Sequence, residues 1–298
     1  MCAVPHRLVP VRVSLFIMWA IAGVISIPRK DLDLRVAELK KEERLAANVL
    51  LRRTGPEGKL KFGIPHKNKK MCLIVETRAD PSLIRHVLYM AQHLPRDWPI
   101  TLMHGEDNAH FLRSNDRIMR LAEKGSLILH HLGVANISKE DYNVKMLANH
   151  GWWETIGAEH VLLAESDSVY CPNSTHRLDD FLAWGFIGAQ CRNSGFSMWR
   201  RSVAMCVTKR MNYSTSWGAW PDVYMNEMIE KHKCGKSVQR EICDHFSVET
   251  QYLPNSLGMH TPVIPCSSAR EVVAFCPEIQ HLVQITYCEF FLKKIRWH

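Results

Sequence analysis

The sequence predicts an α/β fold, with a mostly parallel central sheet flanked by helices. Three observations carry that expectation. Between Met71 and Ala164, short apolar runs alternate with longer amphipathic stretches, the order that builds parallel sheets with right-handed crossovers. The apolar runs lack the polar alternation of half-exposed strands, so they read as strands buried on both faces. The 298 residues, 46% hydrophobic and 23% charged, also supply enough apolar material for a sizeable core.

Taken in order, MCLIVETRAD begins the globular region as an apolar strand ending in the polar residues Glu76, Thr77 and Arg78. Pro81, whose fixed φ suits a first helical turn, opens the helix PSLIRHVLYMAQHL, with Leu83, Val87, Met90 and Leu94 on one face. Ile100 to His104 forms a second strand, Ala109 to Lys124 a helix, and Ser126 to His130 a third strand. A helix from Lys139 to Trp153 leads to the central strand, Val161 to Ala164. Beyond it the pattern gives a helix over Leu178 to Trp184, a strand over Phe186 to Ala189, and a small-residue turn from Arg192 into a strand ending at Met198. Helices come next over Val203 to Lys209 and Val223 to Lys233. Phe246 to Glu249 reads as extended, and Leu253 to Pro262 as a loop. No glycine fingerprint of a dinucleotide site and no P-loop occurs.

Before this region, Val13 to Ile27 holds no charge and lies just after His6, Arg7 and Arg12. It is shorter than the ~20 residues that usually span a bilayer, although Leu8, Val9 and Val11 extend the run around Arg12. It reads as an uncleaved signal anchor, with a signal peptide as the alternative; either delivers the rest of the chain to the secretory lumen. Asp31 to Arg53 has the composition of a solvated helix, which Thr54-Gly55-Pro56 stops. The expected plan is a tail and anchor over 1–28, a stem helix and linker over 29–70, and one globular domain over 71–298.

Sequons at Asn136, Asn173 and Asn212 and nine cysteines beyond the apolar segment agree with an oxidising compartment. Cys72 and Cys206 lie in apolar runs and read as buried thiols. The net charge of +8 is dispersed, and no basic cluster interleaves with aromatic platforms. That pattern argues against a nucleic-acid partner and suits a small anionic ligand.

The chemistry centres on Glu165-Ser166-Asp167-Ser168, at the carboxyl end of the central strand, where open α/β sheets bind ligands. If the extended backbone continues, both carboxylates point the same way and face one ligand. Hard cations in phosphate sites are often held by only one or two such groups. An isolated acid pair is more commonly a solvated strand end, so its meaning depends on the downstream segments.

Downstream come NSGFSMWRR, then PDVYMNEMI, then HFSVET and LGMHTP. This order resembles the metal-dependent GT-A glycosyltransferases. It is more closely similar to a family of glycosyltransferase-like proteins known mainly as a domain of unknown function, over Met71 to Pro262. The resemblance implies a single GT-A, Rossmann-like domain with a Mn²⁺ or Mg²⁺ ion held by Asp167 and His260. It implies that Glu165 contacts the donor ribose or acts through water, and that Asp222 is the general base. Glu76, Thr77 and Arg78 would bind base and ribose; Asn193, Gly195 and Phe196 would border the sugars; Trp217 or Trp220 would stack on a sugar ring. The implied partners are a nucleotide-diphosphate sugar donor and a glycan, protein or lipid acceptor, in the Golgi or ER membrane with the domain in the lumen.

Each residue also has a plainer role to set beside this one. His260 would serve as a surface-loop histidine, Asp222 as a helix-start acid favoured by the dipole, and a tryptophan as core. Pro221 stands where the family pattern has the first of two acids, and Ser194 where it has glycine. Those departures keep two alternatives open: a non-catalytic nucleotide-sugar or glycan binder, and a metal-dependent hydrolase using Glu165, Asp167 and His260.

Overall fold

The computed structural model describes residues 69–211, 221–249, 253–261 and 268–281, all within a compact unit running from Phe62 to His298. The expected anchor and stem helix, Trp217 and Trp220, the sequon at Asn212, Cys266 and Cys288 lie outside the described residues.

Strands β1 (Lys70–Val75), β2 (Ile100–His104), β3 (Leu127–His131) and β4 (His160–Ala164) pair in parallel. After β5 (Ser168–Tyr170), which belongs to another sheet, β6 (Phe186–Gly188) and β7 (Phe196–Arg200) complete six strands in the order β3-β2-β1-β4-β7-β6. Only β7 runs against its neighbours, so the expected mostly parallel sheet is present. The central strands β1 and β4 are apolar beyond their first residues, Lys70 and His160, because both faces are covered. Cys72, Ile74, Leu162 and Ala164 join one core, and Met71, Leu73, Val161 and Leu163 join another.

Helix α1 (Pro81–His93) starts where the Asp80 carboxylate accepts the Ser82 amide at 2.7 Å, and it buries Leu83, Ile84, Val87 and Met90 in the first core. Leu94, expected on that face, sits half-buried just past the helix end. The helix expected over 109–124 is two helices, α2 (Glu106–Arg113) and α3 (Asp116–Glu123). The Asn115 side chain accepts from the amides of Arg117 and Ile118 at 3.1 and 3.2 Å, and this local cap prevails over continuation of the helix.

The helix expected over 139–153 divides in the same way. A short turn at Lys139–Asp141 passes into a π-helical turn, Tyr142–Leu147, and α4 (His150–Thr155) restarts on an Asn149 cap. Leu178 to Trp184 gives only a 3₁₀ turn, Leu178–Phe181. Helices α5 (Arg201–Arg210) and α6 (Pro221–Lys231) cover the second core, with Val203, Val207, Met225, Met228 and Ile229 packed near Trp153 and Trp199. Helix α7 (Arg240–Phe246) adds Cys243 and Phe246 to the first.

A second sheet departs from the expected plan. β5, β9 (Gly258–His260) and β8 (Ser247–Val248) pair in the order β5-β9-β8, so the segment read as a loop over Leu253 to Pro262 contains a strand. Strands of two or three residues are too short to show a period in sequence. Val169, Val248 and Met259 back this sheet with Val272 and Cys276 of α8 (Ala269–Phe275) and its C-cap.

Disulfides join Cys171 to Cys276, Cys191 to Cys243 and Cys206 to Cys234. Cys72 is a buried thiol, as expected. Cys206 is not: it lies half-buried at the edge of α5, while Val203, Ala204 and Val207 turn into the core, and that edge reaches Cys234.

Candidate functional site

The strand order explains where the site lies. The chain moves outward from β1 to β3 and returns with β4 on the other side of β1. At such a reversal, the segments leaving two adjacent carboxyl ends diverge and open a crevice. Here it is a cleft of about 770 Å³, lined by Glu76, Arg78, Glu165, Asp167, Asp222 and His260 among others.

The acidic segment is a turn rather than a continued strand. The amide and hydroxyl of Ser168 both donate to the Glu165 carbonyl, at 2.9 and 2.7 Å. Strand alternation therefore does not set the direction of the two carboxylates, contrary to expectation. A ladder brings the histidine in: β5 and β9 run antiparallel with Ser168 opposite His260, and the Thr261 amide donates to the Asp167 carbonyl at 3.1 Å. His260 Nε2 then lies 3.3 Å from Asp167 Oδ1 and 3.6 Å from Glu165 Oε2.

Gly195 makes that approach possible. Its carbonyl accepts the Glu165 amide at 2.7 Å, and a Cβ at this position would overlap the His260 imidazole. The ring itself is buried. Burial lowers its pKa, but hydrogen bonds to Asp167, Glu165 and Glu249 outweigh that and hold it at about 11. Asp167 is held below the usual carboxylate range: desolvation opposes this, and the imidazole bond prevails.

Whether these groups suit a cation can be judged from the donors. One imidazole nitrogen and two carboxylate oxygens lie within 4.8 Å of one another, and ligand distances of ~2.0–2.2 Å place three such atoms around one ion. Two acids and a histidine fit Mn²⁺-like ions, with the ion taking the place of the Nε2 proton. The structure thus brings Asp167 and His260 together, with Glu165 beside them.

Asp222 borders the same cleft at the start of α6 and is buried. Its oxygens accept the amides of Ser194 (2.8 Å) and Val223 (3.0 Å). Desolvation raises its pKa in spite of those bonds. Ser194 thereby supports the acid through its backbone amide.

The other expected residues divide. Glu76 is buried, and its oxygens accept from the Arg78 amide (2.8 Å), from Nε (2.9 Å) and Nη2 (2.6 Å) of the Arg78 side chain, and from Ser166 Oγ at 3.3 Å. It presents Arg78, which is exposed in the cleft, more than itself. Thr77 Oγ1 donates to Asn136 Oδ1 and accepts the Ile137 amide at 3.1 Å, closing one wall. Asn193 lines the cleft with Gly195. Phe196 does not reach it: the ring is fully buried against Phe246 and over Gly258, because its side of β7 faces the core rather than the ligand edge. Trp220 lies outside the described residues.

Sequence reasoning misses Glu249, and also Arg85, which lines the cleft. Glu249 Oε1 lies 3.4 Å from His260 Nδ1 and accepts from Asn193 Nδ2 at 3.0 Å. Its stretch, HFSVET, stands out in sequence, but a lone acid after a two-residue strand carries no spacing signal.

Residues 132–260 match the profile of a family described as a protein of unknown function, DUF5672, which covers less than half of the chain. No curated protein matches. Among solved structures the chain is similar to the glycosyltransferase GlyE of Streptococcus pneumoniae TIGR4, at 12% identity and a TM-score of 0.43, over 65% of this chain and 54% of that one. It thus spans about half of the GlyE structure it matches. A mannosyltransferase from Pyrobaculum calidifontis, solved with GDP-Man and Mn²⁺, is similar at 12% identity and a TM-score of 0.43, over 78% and 66% of the two chains. S. aureus TarS, solved with UDP, is similar at 11% identity and a TM-score of 0.32, over 59% and 69%. At these scores the likenesses assign no substrate.

Proposed function

We propose that the protein is a metal-dependent glycosyltransferase that moves a sugar from a nucleotide-diphosphate donor to a hydroxyl acceptor in the secretory pathway. The observation that carries the reading is the meeting of Glu165, Asp167 and His260, distant in sequence, at the carboxyl edge of the sheet in a cleft shared with Asp222. A divalent ion there supplies charge neutralisation for the diphosphate leaving group.

The chain's own residues divide the remaining work. Asp167 and His260 hold the ion, with Glu165 as third donor or ribose contact. Arg78 and Arg85, both on the cleft wall, offer positive charge to the donor phosphates. Asp222 accepts the proton of the attacking hydroxyl at Oδ1 or Oδ2, and its raised pKa makes it a stronger base than a solvated aspartate. Donor hydrolysis and transfer, measured with and without Mn²⁺ across a panel of nucleotide-sugars, test the reading. Metal-dependent turnover of one donor supports it, and a complete lack of turnover with every donor overturns it.

The second reading, a nucleotide-sugar binder without turnover, is favoured by the two backbone amides on Asp222, which suit a structural carboxylate as well as a base. It predicts donor binding with no release of nucleotide. The three disulfides support an oxidising, luminal location. With Val13–Ile27 as anchor, the proposed form is a single-pass type II protein of the Golgi or ER.

A further inference from the structure

Glu249 faces the edge of His260 that the acidic turn does not. Its Oε1 lies 3.4 Å from Nδ1, whereas Asp167 and Glu165 lie 3.3 and 3.6 Å from Nε2. The two ring nitrogens point in diverging directions, so a cation seated at Nε2 is beyond the reach of Glu249. We propose that Glu249 is the positioning residue of the metal centre, holding the Nδ1 proton of His260 so that Nε2 presents its lone pair to the ion. The assignment rests on the metal reading above.

Three donors converge on the one oxygen. Besides the imidazole, Asn193 Nδ2 donates to Glu249 Oε1 at 3.0 Å and Thr261 Oγ1 at 3.3 Å, and the Thr261 hydroxyl also lies 3.4 Å from Nδ1. Asn193 in turn accepts the Gly195 amide at 2.7 Å, and the Gly195 backbone packs on the imidazole face. The ring is thereby held along one edge and across one face before any ion arrives. The backbone delivers Glu249 to this place. Val248 pairs with Met259 in the parallel β8–β9 ladder, so the residues that follow them, Glu249 just past β8 and His260 at the end of β9, stand side by side. Helix α7, tied to the Cys191 turn by the Cys191–Cys243 disulfide, leads directly into β8. A carboxylate on the outer nitrogen fixes the tautomer of a metal-bound histidine and raises its basicity, and losing it typically costs about 10–100-fold in metal affinity.

The test is calorimetric titration of Mn²⁺ into the full chain without donor, at one pH. Glu249→Ala is expected to weaken Mn²⁺ binding by about 10–100-fold with a melting temperature close to wild type. Glu249→Gln, whose amide oxygen still accepts from Nδ1, should fall between the two. Nitrogen-15 NMR of the wild type loaded with Zn²⁺, a diamagnetic probe, should show His260 metallated at Nε2 and protonated at Nδ1; it needs no variant. Ligation through Nδ1, or an Ala variant with wild-type Mn²⁺ affinity, overturns the assignment and leaves the metal site standing. A wild type that binds no Mn²⁺ overturns both.

Discussion

Gly195 shows how much one absent methyl group decides. Alanine there would drive its Cβ into the His260 ring, which is backed by Glu249 and cannot retreat without breaking that contact. Gly195→Ala should therefore weaken Mn²⁺ binding by roughly tenfold or more, the scale seen when a histidine ligand loses its support. Most of the fold should stay intact, read by calorimetry beside a melting curve; unchanged affinity would show that the ring has room. Asp167→Asn keeps the size and removes a charge, and should abolish metal-dependent donor binding.

The pH dependence stems from His260. Its pKa in the folded, metal-free protein is about 11, above the ordinary value of 6.5. A raised histidine stabilises the fold fully below its unfolded pKa, and that contribution fades as pH rises through the folded value. The metal-free protein should thus lose stability between pH 6.5 and about 11, and His260→Gln should flatten that part of the curve. Since the ion must displace the Nε2 proton, Mn²⁺ affinity should rise with pH over the same range. Titration in buffers of different ionisation enthalpy should detect up to one proton released per ion; no release would contradict a protonated His260.

At the scale of elements, short strands and covalent ties place the site's groups. β5, β8 and β9 contribute few ladder bonds, and two disulfides brace their surroundings: Cys171–Cys276 beside β5, and Cys191–Cys243 ahead of β8. Closing loops of this size is typically worth about 3–5 kcal/mol each. The Cys206–Cys234 bond closes a shorter loop, which carries Asp222 and Val223 of the cleft wall but none of Glu165, Asp167 and His260. Replacing Cys191 and Cys243 with serine should lower both the melting temperature and Mn²⁺ affinity, because α7 carries β8 and Glu249. Replacing Cys206 and Cys234 should lower the melting temperature and leave Mn²⁺ affinity unchanged. Equal effects on metal binding would show that the brace is not local.

For the whole molecule, the strand reversal between β1 and β4 makes the cleft, and the luminal proposal has a consequence there. Expressed in cells, the protein should carry glycan removable by an endoglycosidase; a cytosolic, unmodified product would sink the proposal. Asn136 lines the cleft and accepts a hydrogen bond from Thr77, so a glycan on it would stand where the proposed donor would sit. Peptide mapping of the active fraction should find Asn136 bare.

The sequence by itself determined the parallel sheet, since Leu73-Ile74-Val75 and Val161-Leu162-Leu163 are apolar without alternation and need two covered faces. It also marked Glu165, Asp167, Asp222 and His260 as groups worth joining, through their order along the chain. Local chemistry that competes with periodicity was harder to read: Asn115 and Asn149 cap new helices inside runs that look continuous. Tertiary structure alone decided that β9 pairs with β5, that Cys206 meets Cys234, that Phe196 turns into the core, and that Glu249 backs His260. Each of these depends on contacts between segments apart in sequence, whose cost in chain entropy is offset only when the whole sheet is formed. No short window of residues contains both partners, so none could be read from a window.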